Sequence, residues 1–232
     1  MSSQSPLLNV SDLKISFKTP DGVVEAVKSL SFSVAPGECI GLVGESGSGK
    51  SQTVLSVMGL TAQNGVVTGS AEFEGQELIG MPKGELNKIR GSAVSMIFQD
   101  PLTSLTPHMT VGAQLREILK RHRGLKGDEA DKLCLEWLDR VRIPEAVRRM
   151  DQFPHELSGG MRQRVMIAAA MLCEPRLLIA DEPTTALDVT VQAQVLDLMD
   201  ELKKETNAGL VLITHDMGVV AEMCDRVLVM YG

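Results

Sequence analysis

Apolar and polar residues alternate over the first part of the chain, residues 7–43. The alternating apolar positions are Leu13, Ile15, Phe17, Leu30, Phe32 and Val34. A period of two predicts β-strands with one buried face. Asp21-Gly22 lies between the two runs and is typical of a hairpin turn. The pattern therefore predicts an N-terminal antiparallel β-structure.

Later segments contain short, nearly continuous apolar runs, which are typical of strands buried on both faces. These runs are Cys39–Val43, 96–98, 177–180 and 210–214, and residues 226–231 are predicted as a last strand. Helical patterns over 51–58 and 189–203 come between them, and 66–73 again has strand-like residues. Because strands alternate with helices, we expect a mainly parallel sheet.

The middle of the chain has helical periodicity instead. Apolar residues recur at helical spacing, with charged residues between them: Val111, Leu115, Ile118, Leu119, Leu133, Trp137, Leu138 and Val141. Core packing explains such stripes, so Trp137 receives no functional role. We predict a single α/β domain over 1–232. Its core and β subdomain occupy 1–98 and 174–232, and an α-helical subdomain is inserted at about 99–173.

Composition sets limits on the class of protein. The 232 residues are 44% hydrophobic and carry a net charge of −7. This balance is typical of a soluble globular domain and argues against a general nucleic-acid binder. Four cysteines, at 39, 134, 173 and 224, form no C-x-x-C pair, which favours buried thiols in a reducing compartment over a zinc site. The sequence contains neither a signal-peptide pattern nor an apolar run of membrane-spanning length, so we expect a cytosolic chain.

A glycine-rich segment follows the first buried run and fits G-x-x-x-x-G-K-[ST]. It comprises Gly44, Glu45, Ser46, Gly47, Ser48, Gly49, Lys50 and Ser51, and Gln52 comes next. Its backbone N–H groups and the start of the following helix can bind phosphates. Lys50 would reach the β- and γ-phosphates and Ser51 would hold Mg²⁺. The alternative is a turn without a ligand, but the preceding strand and following helix favour a nucleotide site of the P-loop NTPase (RecA-like) fold.

Polar residues end three other apolar runs. Asp181 and Glu182 follow one of them, Gln99 another and His215 the third. Functional residues gather at the carboxyl ends of parallel strands. Asp181 and Gln99 would complete a magnesium site with Ser51, and Glu182 would polarise the attacking water. The alternatives are an acidic strand cap for 181–182 and a structural hydrogen bond for His215.

A second helix start is also suited to an anion. Ser158 could cap a helix, and Gly159 and Gly160 leave backbone N–H groups open. One chain with one P-loop needs no second phosphate site. Two chains placed head to tail would use it, because each could cover the nucleotide held by the other.

The motifs LSGGMRQR, LLIADEP, ALD and THD follow the P-loop in this order. With them the chain resembles the ATP-binding cassette (ABC) ATPase family over nearly its whole length. The resemblance implies that Ser158, Gly159 and Gly160 contact the γ-phosphate in trans. It also makes Gln99 the Q-loop glutamine, Asp188 the D-loop aspartate and His215 the switch histidine. Phe17 would place its ring against adenine.

Three finer segments are similar to the bacterial dipeptide/oligopeptide (and nickel) import subfamily: IFQDPLTSL at 97–105, FPHE at 153–156 and DEPTTALDVTVQ at 181–192. That resemblance implies ATP and Mg²⁺ as cofactors. It implies as partners a second ATPase, identical or paralogous, two membrane-spanning permease subunits and, indirectly, an extracytoplasmic solute-binding protein. The chain would lie at the cytoplasmic face of the inner membrane. Members usually continue beyond the strand that ends near Tyr231, and we expect that extension to be absent here.

Two other functions remain as alternatives. Soluble ABC ATPases of DNA repair or translation usually contain long coiled-coil inserts, zinc cysteines or basic patches, and this acidic sequence contains none. A binding-only module with a dead site is the other alternative. Against it, Lys50, Ser51, Asp181, Glu182 and His215 are all present. The solute itself cannot be inferred, because the binding protein and membrane subunits would select it.

Overall fold

A computed structural model describes residues 5–100, 104–185 and 187–231 of the chain. Pro101, Leu102 and Thr103 of the 97–105 segment, Ala186 of the ALD motif and Gly232 lie outside these ranges.

Across the described residues, nine strands form two sheets: β1 (Leu8–Thr19), β2 (Gly22–Val34), β3 (Cys39–Gly44), β4 (Gly65–Phe73), β5 (Gln76–Glu77), β6 (Val94–Ile97), β7 (Leu177–Asp181), β8 (Gly209–Ile213) and β9 (Arg226–Met230). One sheet is antiparallel, in the order β2-β1-β4-β5. Thr19 pairs with Gly22, so the hairpin loop is Pro20-Asp21, one residue before the predicted turn. The other sheet is parallel, in the order β6-β7-β8-β3-β9.

Strands β3, β6, β7 and β8 of the parallel sheet are buried on both faces, as their continuous apolar runs predict, whereas the edge strand β9 is largely exposed. In β8, Leu210 and Leu212 belong to one hydrophobic cluster, whereas Val211 and Ile213 belong to the other. The second cluster joins this sheet to the antiparallel one. The first cluster joins it to helices, so the sheet forms the middle layer of the molecule.

The helices in the described ranges are α1 (Lys50–Val57), α2 (Lys83–Ile89), α3 (Val111–His122), α4 (Asp128–Arg140), α5 (Ala146–Met150), α6 (Gly159–Met171), α7 (Val189–Thr206) and α8 (Met217–Met223). A 3₁₀ turn occupies Pro154–Glu156. Helices α3 to α6 bury the apolar stripes of the middle segment, and Trp137 is only 1% exposed. Within the described ranges, no helix has the length and apolar character needed to cross a membrane.

The predicted starts of α1, α6 and α7 agree with the observed ones to within one residue. Helix α6 begins at Gly159, with Ser158 as its cap and both glycines in its first turn, as the sequence predicts. Helix α2 was not predicted, since only Leu86 of its seven residues is buried and one residue produces no periodic pattern.

Candidate functional site

A cavity of about 350 Å³ lies at the carboxyl ends of β3, β6, β7 and β8. The described residues that line it are Ala26, Gly44, Ser46, Gly47, Gly49, Lys50, Ser51, Gln52, Gln99, Glu182 and His215. The structure thus brings the glycine-rich segment together with predicted residues from three other strand ends.

The glycine-rich loop has a backbone that side chains would oppose. Gly47 and Gly49 have φ of 84° and 92°, in the left-handed region that favours glycine. A Cβ on Gly49 would also collide with the carbonyl oxygen of Ala26 in β2. Gly49 precedes α1 without a side-chain cap, so the N–H groups of the first turn remain available for an anion.

Lys50 folds back over this loop. Its Nζ donates to the carbonyl oxygens of Gly44 at 2.8 Å and Glu45 at 2.9 Å, and the residue is 8% exposed. These two bonds hold the ammonium group above the loop's amides. The positive charge therefore lies beside the loop that would bind phosphate oxygens.

Asp181 ends β7 behind Ser51. The Ser51 hydroxyl donates to Asp181 Oδ1 at 3.1 Å, and Asp181 is 7% exposed. Burial raises the pKa of the Asp181 carboxyl, and the Ser51 hydrogen bond opposes that rise. The described residues include no group of three or more His, Cys, Asp or Glu that could hold a metal ion. A magnesium ion at Ser51 and Asp181 would take phosphate oxygens or water molecules as further ligands.

The Glu182 carboxylate lies between Gln99 and His215. Gln99 Nε2 donates to Glu182 Oε2 at 2.9 Å, and His215 Nδ1 lies 3.5 Å from Glu182 Oε1. Gln99 follows β6 and His215 follows β8, so neighbouring strands of the sheet position both. The Glu182 side chain is 19% exposed, which leaves it accessible to water from the cavity.

Other predicted residues lie away from this lining. Phe17 is half-buried in β1 and packs against the second hydrophobic cluster. Glu45 and Ser48 belong to the loop but are not among the described lining residues. Ser158 and Asp188 cap α6 and α7, where their side chains accept from Met161 N at 3.3 Å and Val191 N at 3.0 Å.

The two caps belong to adjacent helices. A Cβ on Gly160 would meet Val191 Cγ1 at 2.8 Å, whereas a Cβ on Gly159 would meet nothing within 4 Å. Ser158, Gly159, Gly160 and Asp188 therefore form a separate surface, and the structure does not bring them to the cavity of their own chain.

Sequence reasoning missed three residues around the cavity. Ala26 lines the cavity from β2, and no sequence pattern marks it, because the packing of β2 beside the P-loop brings it there. Thr185 donates its hydroxyl to Glu182 Oε2 at 2.8 Å. Gln163 of α6 is 1% exposed and donates to the carbonyl oxygen of Pro183, next to Glu182. The spacing of Glu182 and Thr185 within one turn could have pointed to the second contact.

Comparisons with known proteins agree with the motifs. A model of the ABC transporter family matches residues 27–185. The chain is 60% identical to "Oligopeptide transport ATP-binding protein OppD" of Haemophilus influenzae over 228 residues, which cover 98% of this chain and 71% of that one. The Escherichia coli protein of that name is 60% identical, with 97% and 67% covered. "Oligopeptide transport ATP-binding protein AppD" of Bacillus subtilis is 51% identical, with 98% and 70% covered.

Solved structures confirm the predicted fold class. The dimeric structure of MJ0796, described as a bacterial ABC transporter cassette, matches with a TM-score of 0.85 and 28% identity, covering 96% of this chain and 94% of that one. A dimeric structure of that cassette in a post-hydrolysis state, bound to ADP and Pi, matches with the same TM-score, identity and coverage.

Proposed function

Because the chain belongs to the ABC transporter family, we propose that it binds and hydrolyses ATP to energise the import of peptides through a membrane transporter. The observation that carries the proposal is the position of Glu182, whose carboxylate faces the same cavity as the P-loop and Lys50. The similarity to oligopeptide transport ATPases over nearly the whole chain supports peptides as the solute.

The triphosphate binds along Gly44–Ser51, with Gln52 on the first turn of α1. Backbone N–H groups and the start of α1 hold the phosphate oxygens, and Lys50 leaves the carbonyls of Gly44 and Glu45 to bind the β- and γ-phosphates. The half-buried ring of Phe17 contacts adenine.

Ser51, Asp181 and Gln99 hold the magnesium ion together with phosphate oxygens. Their hydroxyl, carboxylate and amide oxygens are the hard donors that this ion prefers, and the Ser51–Asp181 contact brings two of them together. Held by these residues, the ion would supply positive charge against the negative charge of the phosphates.

Glu182 accepts the proton of the water that attacks the γ-phosphate. His215 and Gln99 lie on either side of its carboxylate and orient the water and the phosphate. A second cassette, identical or paralogous, supplies Ser158, Gly159, Gly160 and Asp188 or their counterparts to the same γ-phosphate. The location of these residues off the cavity of their own chain supports this arrangement.

ATP binding closes two cassettes face to face, and hydrolysis releases them. The inserted helical subdomain, at about 99–173, and the Q-loop at Gln99 form the groove for the permease. The ATPase therefore lies at the cytoplasmic face of the inner membrane, and a solute-binding protein delivers the peptide from outside.

Glu182→Gln provides the test. We expect phosphate release to fall at least 100-fold, because the amide cannot accept a proton, while an ATP-filled dimer accumulates in size-exclusion chromatography with light scattering. Lys50→Ala should abolish both phosphate release and the formation of the ATP-filled dimer, since it removes a contact with the phosphates. Glu72→Gln, at an exposed position of β4, serves as the matched control and should behave like the wild type.

Equal, near-zero rates for wild type and Glu182→Gln under dimerising conditions would contradict the ATPase. A Glu182→Gln protein that stays monomeric with ATP would contradict the closed dimer. Failure to copurify with any membrane protein encoded beside it would contradict the importer role.

A further inference from the structure

The two oxygens of the Glu182 carboxylate have different surroundings. Oε2 accepts two hydrogen bonds, from Gln99 Nε2 at 2.9 Å and from Thr185 Oγ1 at 2.8 Å. Oε1 lies 3.5 Å from His215 Nδ1, beyond hydrogen-bond distance. An ionised carboxylate oxygen offers about two lone-pair positions. Two donors therefore occupy Oε2, whereas Oε1 can still accept a proton.

The backbone at Glu182 is fixed as well. Its φ of 45° lies in the left-handed region, which is unfavourable for a residue with a side chain. The Glu182 N–H donates to the carbonyl oxygen of Ile213 at 2.9 Å, which ties the residue to β8. With the backbone held, the remaining freedom is rotation of the side chain. The two bonds to Oε2 restrict that rotation.

We propose that Thr185 is a positioning residue, whose hydroxyl holds Oε2 so that Oε1 faces the cavity and takes the proton of the attacking water. The proposal rests on the ATPase function proposed above. The water's O–H bond breaks as its oxygen bonds to the γ-phosphorus, the proton goes to Oε1, and the β–γ bridging oxygen leaves with the electron pair. Thr185 keeps its own proton throughout.

A turn-stabilising role is the competing interpretation. The Thr185 N–H donates to the carbonyl oxygen of Glu182 at 3.2 Å, which closes a turn irrespective of the side chain. Thr185→Val keeps this N–H and the side-chain shape but removes the hydroxyl. Thr185→Ser keeps the hydroxyl and loses a methyl group. The two variants therefore separate the hydroxyl's effect on Glu182 from any effect on the turn.

The test compares steady-state ATP hydrolysis by full-length wild type, Thr185→Val and Thr185→Ser, with MgATP as the substrate. We expect Thr185→Val to lower kcat about tenfold with KM unchanged, since the bond orients a charged acceptor that acts in hydrolysis and not in ATP binding. Thr185→Ser should restore kcat to within about threefold of wild type. Thr206→Val is the matched control, because it removes a threonine hydroxyl bonded to Leu202 O at the distant end of α7.

A second comparison tests whether Thr185 acts through Glu182. In a Glu182→Gln background, Thr185→Val should cause no further loss of phosphate release, because residues that act as a unit are not additive. The proposal is overturned if Thr185→Val keeps the wild-type kcat, if it raises KM without lowering kcat, if serine does not rescue it, or if the losses multiply. A wild-type chain that hydrolyses no ATP would instead overturn the ATPase function itself.

Discussion

At the scale of single residues, two adjacent acids have different environments. Asp181 is buried behind Ser51, and its pKa is raised chiefly by that burial. Glu182 turns into the cavity and accepts bonds from two neutral donors. The sequence predicted that both acids follow a buried strand. It could not separate their environments, because these depend on Gln99 and Ser51, which other segments supply.

The raised pKa of Asp181 predicts a gain in stability for Asp181→Asn. Between pH 3.8 and the raised folded value, the folded state binds more protons than the unfolded state, so stability falls as pH rises through this window. At pH 7 the charged Asp181 therefore lowers the stability of the folded state. Asparagine should raise the Tm of the nucleotide-free protein at pH 7, with the gain vanishing below pH 3.8. Calorimetry at both pH values measures this, and phosphate release should fall at least 100-fold.

Asp12→Asn is the control, because its effect on the Tm at pH 7 should have the opposite sign. The hydrogen bond from Ser29 and the charge of Lys14 lower the pKa of the exposed Asp12 carboxyl. The Asp12 carboxylate stabilises the folded state above pH 3.8, and this stabilisation is lost on acidification. The Asp12→Asn variant should therefore lower the Tm slightly at pH 7. A lower Tm at pH 7 for Asp181→Asn would contradict the burial argument.

At the scale of elements, local patterns predicted both the buried strands and the capped start of a helix. The buried strands were predicted to within about two residues, because each is a continuous apolar run bounded by polar residues. Helix α6 begins at Gly159, six residues before the start of its apolar stretch at Val165. The Ser158 cap, and not hydrophobicity, decides where it begins.

The start of α6 gives a matched pair of glycine variants. Gly159→Ala places a methyl group in open space, so it should keep or raise stability by up to about 1 kcal/mol, since alanine favours helix. It should still lower ATP hydrolysis, because the methyl group would lie where the partner's γ-phosphate is proposed to bind. Gly160→Ala should cost about 1–3 kcal/mol, because its methyl group must displace Val191. Urea unfolding and phosphate release measure both effects.

A compensating change provides the control for this pair. Val191→Ala should recover part of the stability that Gly160→Ala loses, because it removes the colliding Cγ1 atom. If Gly159→Ala hydrolysed ATP at the wild-type rate in the dimer, the proposed contact of this helix start with the γ-phosphate would be wrong.

At the scale of the whole molecule, the parallel sheet connects the site to both hydrophobic clusters. Its strand order, β6-β7-β8-β3-β9, places Gln99, Glu182 and His215 side by side although they are far apart in sequence. Alternating strands and helices predicted a parallel sheet but not this order. For the same reason Ala26 escaped prediction, since only the packing of β2 beside the P-loop brings it to the cavity.

The cluster that contains the helices predicts cooperative unfolding. Trp137 is the only tryptophan, is 1% exposed and shares one continuous cluster with Leu178 and Leu210 of the parallel sheet. Since buried residues of α4 and of the sheet belong to the same cluster, the helical segment and the sheet should lose their packing together. Urea transitions followed by Trp137 fluorescence and by far-UV circular dichroism should therefore have the same midpoint. MgATP should move both midpoints upward equally, because it binds only the folded chain. An earlier fluorescence transition would instead show that the inserted helices unfold as a separate unit.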